Sequence, residues 1–137
     1  MDLVDEASAE VVELHDFLVA WFTGTLDDTD ASFARFADAL DPGFTMIVPS
    51  GDVLDRGAVV ASVRAAHATA DDGFRIEIRD VVHRVVDEDA VLVTYEEWQY
   101  VGGRPQSRRV STAWLSRPSG AASGVRWGHL HETAQVV

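Results

Sequence analysis

Two histidines near the end of the chain, His129 and His131, have a spacing that can do chemistry. Side chains two residues apart on a β-strand point to the same face, so both imidazoles can reach one metal ion or one ligand. For a metal, Glu96 and His83 are the further candidates, and the sequence marks neither as a third ligand. We therefore predict no metal and no cofactor, and structural or pocket-lining roles for both histidines.

Two adjacent carboxylates, Glu96 and Glu97, interrupt the apolar pattern of residues 91–100. Neighbouring residues of a strand point to opposite faces, so one of the two carboxylates must lean toward the interior. A carboxylate in an apolar cavity has a raised pKa and can act as a general acid or base. The alternative is a buried glutamate that pairs with Arg108 or Arg109.

The composition excludes several classes of protein. The 137 residues include no cysteine, which removes disulfides, thiolate nucleophiles and thiolate metal sites. The formal net charge of −12 repels nucleic acid and anionic membranes. No stretch approaches the roughly 18 apolar residues of a membrane span, and residues 1–6 lack the basic start of a secretory signal. We predict a cytoplasmic globular protein that binds neither nucleic acid nor membrane.

Three helices are predicted in the first half of the chain. Apolar residues recur at helical spacing over 9–22, Thr29 can cap a second, shorter helix, and a third helix covers 58–70. A short strand at 44–48 and its return arm at 53–54 lie between the second and third helices.

Four long β segments follow, each rich in valine, threonine, isoleucine or aromatic residues: 74–86, 90–101, 106–117 and 125–137. Turn residues connect them at hairpin lengths, which predicts an antiparallel meander. Strands of this length twist and curl, and the helices must cover the concave face. The predicted fold is a single α+β domain over residues 1–137, in which a cone-shaped, curved antiparallel sheet wraps around three N-terminal helices.

Three short strings stand out along these elements: Asp41-Pro42-Gly43-Phe44-Thr45 with Pro49, then Gly102-Gly103-Arg104-Pro105, and finally His129-Leu130-His131-Glu132-Thr133. These strings and the order of the elements resemble the nuclear-transport-factor-2-like superfamily. They are most similar to the association domain of calcium/calmodulin-dependent kinase and its stand-alone bacterial relatives. The superfamily also includes ketosteroid isomerases, scytalone dehydratase and SnoaL-type polyketide cyclases.

The resemblance implies a pocket inside the cone. In the register of the association domain, Thr94, Glu96 and Trp98 face this pocket, whereas Tyr95 and Glu97 face solvent or a partner.

The resemblance does not carry over the anion-binding arginines of that domain. Their positions fall on Thr94 and Thr112 here, although Arg108 shares the face of Thr112 and Trp114 and can substitute. An aromatic residue of the family's third helix falls at or near His67. The resemblance thus places His67 at the pocket mouth; an exposed or core-edge histidine is the alternative.

The predicted pocket comprises His67, Thr94, Glu96, Trp98, Arg108, Thr112, Trp114, His129 and His131. Glu96, His129 and His131 are the candidates for catalysis, and His15 is expected at the surface of the first helix. We expect a small-molecule-binding domain that forms a homodimer through the exposed face of its sheet. One alternative is an isomerase, cyclase or dehydratase of the SnoaL or ketosteroid-isomerase kind, with a carboxylate and a histidine as its acid–base pair. The second alternative is a pure association module.

Overall fold

The computed structural model describes residues 2–137, which form three helices and one six-stranded sheet. The helices are α1 (Leu3–Phe22), α2 (Asp30–Ala37) and α3 (Arg56–Ala65). The strands are β1 (Leu40–Ile47), β2 (Val53–Asp55), β3 (Arg75–Val86), β4 (Ala90–Val101), β5 (Arg104–Ser116) and β6 (Arg126–Gln135). None of the described helices is long and apolar enough to cross a membrane.

Each helix begins at a polar side chain that accepts a backbone N–H of the first turn. The acceptors are Asp2, Thr29 and Asp55, at 2.8, 3.1 and 2.8 Å. These bonds satisfy donors that have no partner within the helix. The cap at Asp2 starts α1 six residues earlier than predicted. The third helix is shorter than predicted, and Ala68, just beyond it, has a positive φ of 58° that no helix can contain.

The strands lie in the order β2-β1-β6-β5-β4-β3 in a curved sheet that does not close. The antiparallel meander predicted for the last four strands is confirmed, as is the short hairpin of β1 and β2. One pairing was not predicted: β1 runs parallel to β6, with Thr45 beside His129 and Ile47 beside His131. The α+β cone predicted from the sequence is therefore confirmed, with one parallel pair in its sheet.

The core lies between the helices and one face of the sheet. Its helical part includes Val11, Leu14, Phe17 and Trp21 of α1, Phe33 and Phe36 of α2, and Val59 of α3. Its sheet part includes Val91, Val93 and Tyr95 of β4, Ala113 and Leu115 of β5, and Trp127 of β6. Complete burial of one such large side chain stabilises the fold by roughly 1.5–3 kcal/mol. We call this face of the sheet the inner face and the opposite one the outer face.

Candidate functional site

Polar side chains interrupt the apolar inner face at one level of the sheet. Tyr95 pairs across the strands with Ser111, which pairs in turn with Glu132. In the next row, Glu97 of β4 pairs with Arg109 of β5. Cross-strand partners share a face, so all five side chains project toward the helices. With two further residues they form what we call the polar cluster: His15, Tyr95, Glu97, Gln99, Arg109, Ser111 and Glu132.

A cavity of about 160 Å³ lies between the helices and the inner face. Most of its wall is apolar: Leu14, Leu18, Phe22, Phe36, Leu40, Phe44, Met46, Val59, Val63, Ile76, Trp127 and Leu130. The polar part of the wall consists of His15, Glu97, Gln99, Arg109 and Glu132. An apolar pocket with a few convergent polar groups is the usual form of a small-molecule site.

A buried pair, His15 and Glu97, joins α1 to β4. The His15 Nδ1 atom lies 2.6 Å from the carbonyl oxygen of Val11, and a carbonyl can only accept, so Nδ1 carries a proton. The other ring nitrogen, Nε2, lies 3.0 Å from Glu97 Oε1, and both side chains are 5% exposed. Gln99 donates its amide N–H to Glu97 Oε2 at 2.6 Å. The carboxylate therefore has a partner on each oxygen.

The proton between His15 and Glu97 resides on the histidine. Burial opposes both charges, but each partner stabilises the other. The Glu97 hydrogen bond and charge thus raise the pKa of His15 above its ordinary value. Burial would raise the pKa of Glu97, but the His15 and Gln99 hydrogen bonds outweigh it and lower the pKa to about 2. The imidazolium–carboxylate form of the pair is therefore favoured at pH 6.5, where a free histidine is only half charged.

Glu132 is the second buried carboxyl at the cavity, with 3% of its surface exposed. Arg109 donates a hydrogen bond from one terminal nitrogen to Glu132 Oε1 at 3.0 Å. Burial, followed by the negative charge of Glu97, raises the pKa of Glu132 to about 7, although Arg109 and His15 oppose the shift. Glu132 can therefore gain or lose a proton near neutral pH, as an acid–base group must.

Two buried hydroxyls complete the polar cluster. The side-chain oxygens of Tyr95 and Ser111 make no hydrogen bond of normal geometry to the described residues. Burial and then the charges of Glu97 and Glu132 raise the pKa of Tyr95 well above its ordinary value. The phenol is therefore neutral at neutral pH.

The predicted pocket residues do not line this cavity. These are His67, Thr94, Glu96, Trp98, Arg108, Thr112, Trp114, His129 and His131. The faces of β4 were assigned in reverse, and a one-residue error exchanges every side chain between faces because the strand period is two. The pairing of β4 with β5 is irregular between Gln99 and Tyr100, next to the Gly102-Gly103-Arg104-Pro105 string that carries part of the resemblance.

Glu96 belongs to an ion pair on the outer face. It accepts hydrogen bonds from Arg108 at 3.1 and 3.3 Å and from the Trp98 indole N–H at 2.8 Å. The guanidinium groups of Arg79 and Arg108 lie 4.3 and 5.4 Å from the Trp98 ring. The predicted alternative, a glutamate paired with Arg108, therefore describes Glu96, whereas Glu97 is the cavity carboxylate.

The outer face also carries the two C-terminal histidines. His129 lies 2.8 Å from the Thr45 hydroxyl through Nδ1 and pairs across the strands with Trp114, while His131 pairs with Thr112. Among residues 2–137, no group of three or more histidine, aspartate or glutamate side chains is arranged to hold a metal ion.

Two histidines of the helical segments also differ from expectation. His67 hydrogen-bonds the Leu26 carbonyl oxygen at 2.7 Å through Nε2, and its ring lies 4.5 Å from that of Trp21, at the edge of the core. The prediction for His15 was wrong, because this residue is buried beside the cavity. One sequence signal could have found its partner: the alternation of Val91, Val93 and Tyr95 continues to Glu97.

Comparison with protein families gives one match over nearly the whole chain. The family described as sucrose-6-phosphate phosphohydrolase C-terminal matches residues 7–136. Sucrose-phosphatase 1 of Nicotiana tabacum is 26% identical over 125 residues, which are 90% of this chain but 29% of that relative. The chain thus spans less than one third of the curated relatives it matches.

Solved structures are similar over nearly the full length. An NTF-2 like protein of unknown function from Pseudomonas aeruginosa has a TM-score of 0.83 and 27% identity, over 96% of this chain and 99% of that one. A calcium/calmodulin-dependent protein kinase type II association domain from Thiobacillus denitrificans has a TM-score of 0.66 and 19% identity, over 96% and 93%. The resemblance to the nuclear-transport-factor-2-like superfamily is confirmed.

Adjacent substitutions in β4 test which carboxylate is buried. We expect Glu97→Gln to lower the free energy of unfolding by about 3 kcal/mol, because it leaves the His15 imidazolium buried without its counter-charge. The matched control, Glu96→Gln, should lose only a small fraction of that, because its ion pair is partly solvated. Urea unfolding at neutral pH measures both. A larger loss for Glu96→Gln than for Glu97→Gln would contradict the assignment of Glu97 to the inner face of β4.

Proposed function

The chain belongs to the sucrose-6-phosphate phosphohydrolase C-terminal family, and we propose that it is a small-molecule-binding domain whose ligand occupies the cavity of the cone. One observation carries the proposal: side chains from α1, β4, β5 and β6 bring four ionisable groups to the wall of an otherwise apolar cavity. Buried groups with shifted pKa values are typical of functional sites. We propose that residues 1–137 act as one domain in this role.

The cavity favours a small ligand that is mainly apolar. Its volume of about 160 Å³ is below the roughly 300–1,000 Å³ typical of pockets for drug-sized molecules. Its one arginine, Arg109, already bonds to Glu132. A sucrose phosphate combines an anionic phosphate with a large polar sugar surface and would need more room and more donors. We therefore propose a smaller ligand with one polar end, which lies at Glu132 and Arg109.

A binding screen tests this function. We expect fragments with an apolar body and one polar group to shift the methyl NMR signals of Met46 and Leu130. Leu130→Phe or Leu130→Trp, which fill the cavity, should abolish these shifts. Val53→Trp should not, because Val53 is 67% exposed on β2 and does not line the cavity. Fragments that bind the filled variants as well as the parent would contradict the proposal, as would the absence of any binding fragment.

An acid–base enzyme is the second candidate. The pKa of Glu132 near 7 favours it, because such a carboxyl can take a proton from a substrate and return it. Glu132 and His15 would then be the pocket carboxylate and histidine, in place of Glu96, His129 and His131. The same NMR samples distinguish the two candidates. A bound fragment whose acidic C–H exchanges with deuterated solvent in the parent, but not in Glu132→Gln, favours the enzyme.

We further propose that the outer face forms a homodimer. Val82 and Val85 of β3 pair with outer-face residues of β4 and are 38% and 52% exposed. Trp98 and Trp114 extend this surface across β4 and β5 and are half-buried. Exposed apolar residues that adjoin aromatic ones are typical of association surfaces. The similarity to proteins named as kinase association domains supports the proposal.

Sedimentation equilibrium tests the dimer. We expect a dimer at micromolar concentration for the parent and a monomer for Val85→Glu, because the substitution places a charge within the apolar contact. Val12→Glu is the matched control, since Val12 is 44% exposed on α1 and should leave the dimer intact. A monomeric parent would contradict the proposal. A dimer whose cavity binds no fragment would instead favour the pure association module.

A further inference from the structure

Glu132 lies in the wall of the cavity, so a ligand that fills the cavity contacts its side chain. It lines the cavity, yet it is 3% exposed, and its one side-chain hydrogen bond comes from Arg109. The charged and titratable groups that face it are Arg109 from β5, Glu97 and Tyr95 from β4, and His15 from α1. The nearby segments of β1 and α3 contribute apolar side chains to the cavity wall, namely Met46 and Val63.

The charges around Glu132 disfavour a second buried anion. Within the polar cluster, His15 and Glu97 neutralise each other at 3.0 Å. Arg109 stabilises an ionised Glu132, but its side chain is 31% exposed, so water also solvates it. The Glu97 carboxylate repels a negative charge on Glu132. Among the described residues, Arg109 and His15 favour the ionised form of Glu132, and both burial and Glu97 oppose it.

A ligand that fills the cavity lies against Glu132 and completes its burial. An apolar body cannot solvate the Glu132 carboxylate, so its entry penalises the ionised form and favours the protonated one. Protonated Glu132 gains an O–H group that can donate a hydrogen bond. A ligand oxygen can accept this bond, and an N–H of Arg109 can donate to the same oxygen. An ionised Glu132 has no O–H to donate and cannot hydrogen-bond to such an acceptor oxygen.

We propose that the cavity is a proton-linked site for small neutral molecules that carry one acceptor oxygen, such as a carbonyl, on an apolar body, and that Glu132 takes up a proton from solvent when they bind. This inference rests on the proposed binding function of the cavity. It adds the chemical class of the ligand and the direction in which pH controls its affinity.

The linkage fixes the size of the effect. Glu132 in the free protein has a pKa of about 7. If the pKa rises well above 8 in the complex, the fraction of protein that is ready to bind falls from nearly all at pH 6 to about one tenth at pH 8. Affinity should therefore fall about tenfold between these pH values. A ligand that carries an ammonium group would pair with ionised Glu132, and its affinity would instead rise with pH.

Two probes of matched shape, cyclohexanone and cyclohexylamine, test the proposal in the unmodified chain. We expect cyclohexanone to bind about tenfold more weakly at pH 8 than at pH 6, as read from the Met46 and Leu130 methyl signals. In Glu132→Gln the affinity should be the same at both pH values, because an amide keeps a donor and cannot ionise. The control is Glu88→Gln, in the exposed turn between β3 and β4, which should behave like the parent.

A second measurement needs no variant. The pKa of Glu132, measured from the ¹³C NMR shift of its carboxyl carbon, should rise when cyclohexanone is added to the parent protein. Equal affinity at both pH values, or an unchanged Glu132 pKa, would overturn the proton linkage while cavity binding stands. Binding of cyclohexylamine without any binding of cyclohexanone would overturn the ligand class. If neither probe shifts the cavity signals at either pH, the proposed binding function itself fails.

Discussion

The rest of the site depends on the buried ion pair between His15 of α1 and Glu97 of β4. The pair crosses the space between the longest helix and the sheet, where both side chains are almost inaccessible to water. The pair fixes which face of β4 points toward the helices, because a carboxylate without a partner would not remain buried on the inner face. After burial itself, the negative charge of Glu97 is the next largest cause of the raised pKa of the neighbouring Glu132, although His15 opposes it. The apolar cavity is bounded on its polar side by these residues.

A buried ion pair contributes little net stability, because the desolvation of two charges offsets most of their attraction. Its effect is instead on position and on pH dependence. The raised pKa of His15 gives stability that is complete below the ordinary value of 6.5 and is lost as pH rises through the raised one. The lowered pKa of Glu97 gives stability that is present above 4.5 and is lost as pH falls toward about 2. The pair therefore supports the fold most between about pH 4.5 and 6.5.

Local sequence signals were sufficient for most of the fold. The cap at Thr29, the strand boundaries of β3 and β4 and the hairpin connections all follow from interactions between residues close in the chain. The parallel pairing of β1 with β6 did not follow, because it joins segments about 85 residues apart and leaves no local pattern. The element order, read as a resemblance, was enough to identify the superfamily.

The candidate site could be predicted only in part. The sequence indicated that one of two adjacent carboxylates faces a cavity, but the register of the association domain favoured Glu96. The apolar alternation of Val91, Val93 and Tyr95 favours Glu97, and the partner that makes its burial tolerable is His15, 82 positions earlier. No periodicity within α1 reveals such a contact. The raised pKa of Glu132 depends on the same three-dimensional arrangement.

The protonation state of His15 is the most direct test of the account. Nitrogen-15 NMR of the imidazole, followed as the pH is raised through and beyond the ordinary pKa of 6.5, reports both ring nitrogens separately. A charged pair with Glu97 predicts that the ring titrates above 6.5, so that Nδ1 and Nε2 both still carry protons in most molecules at pH 6.5. A neutral ring, protonated at one nitrogen only and titrating near 6.5, would contradict the buried ion pair and the site built around it.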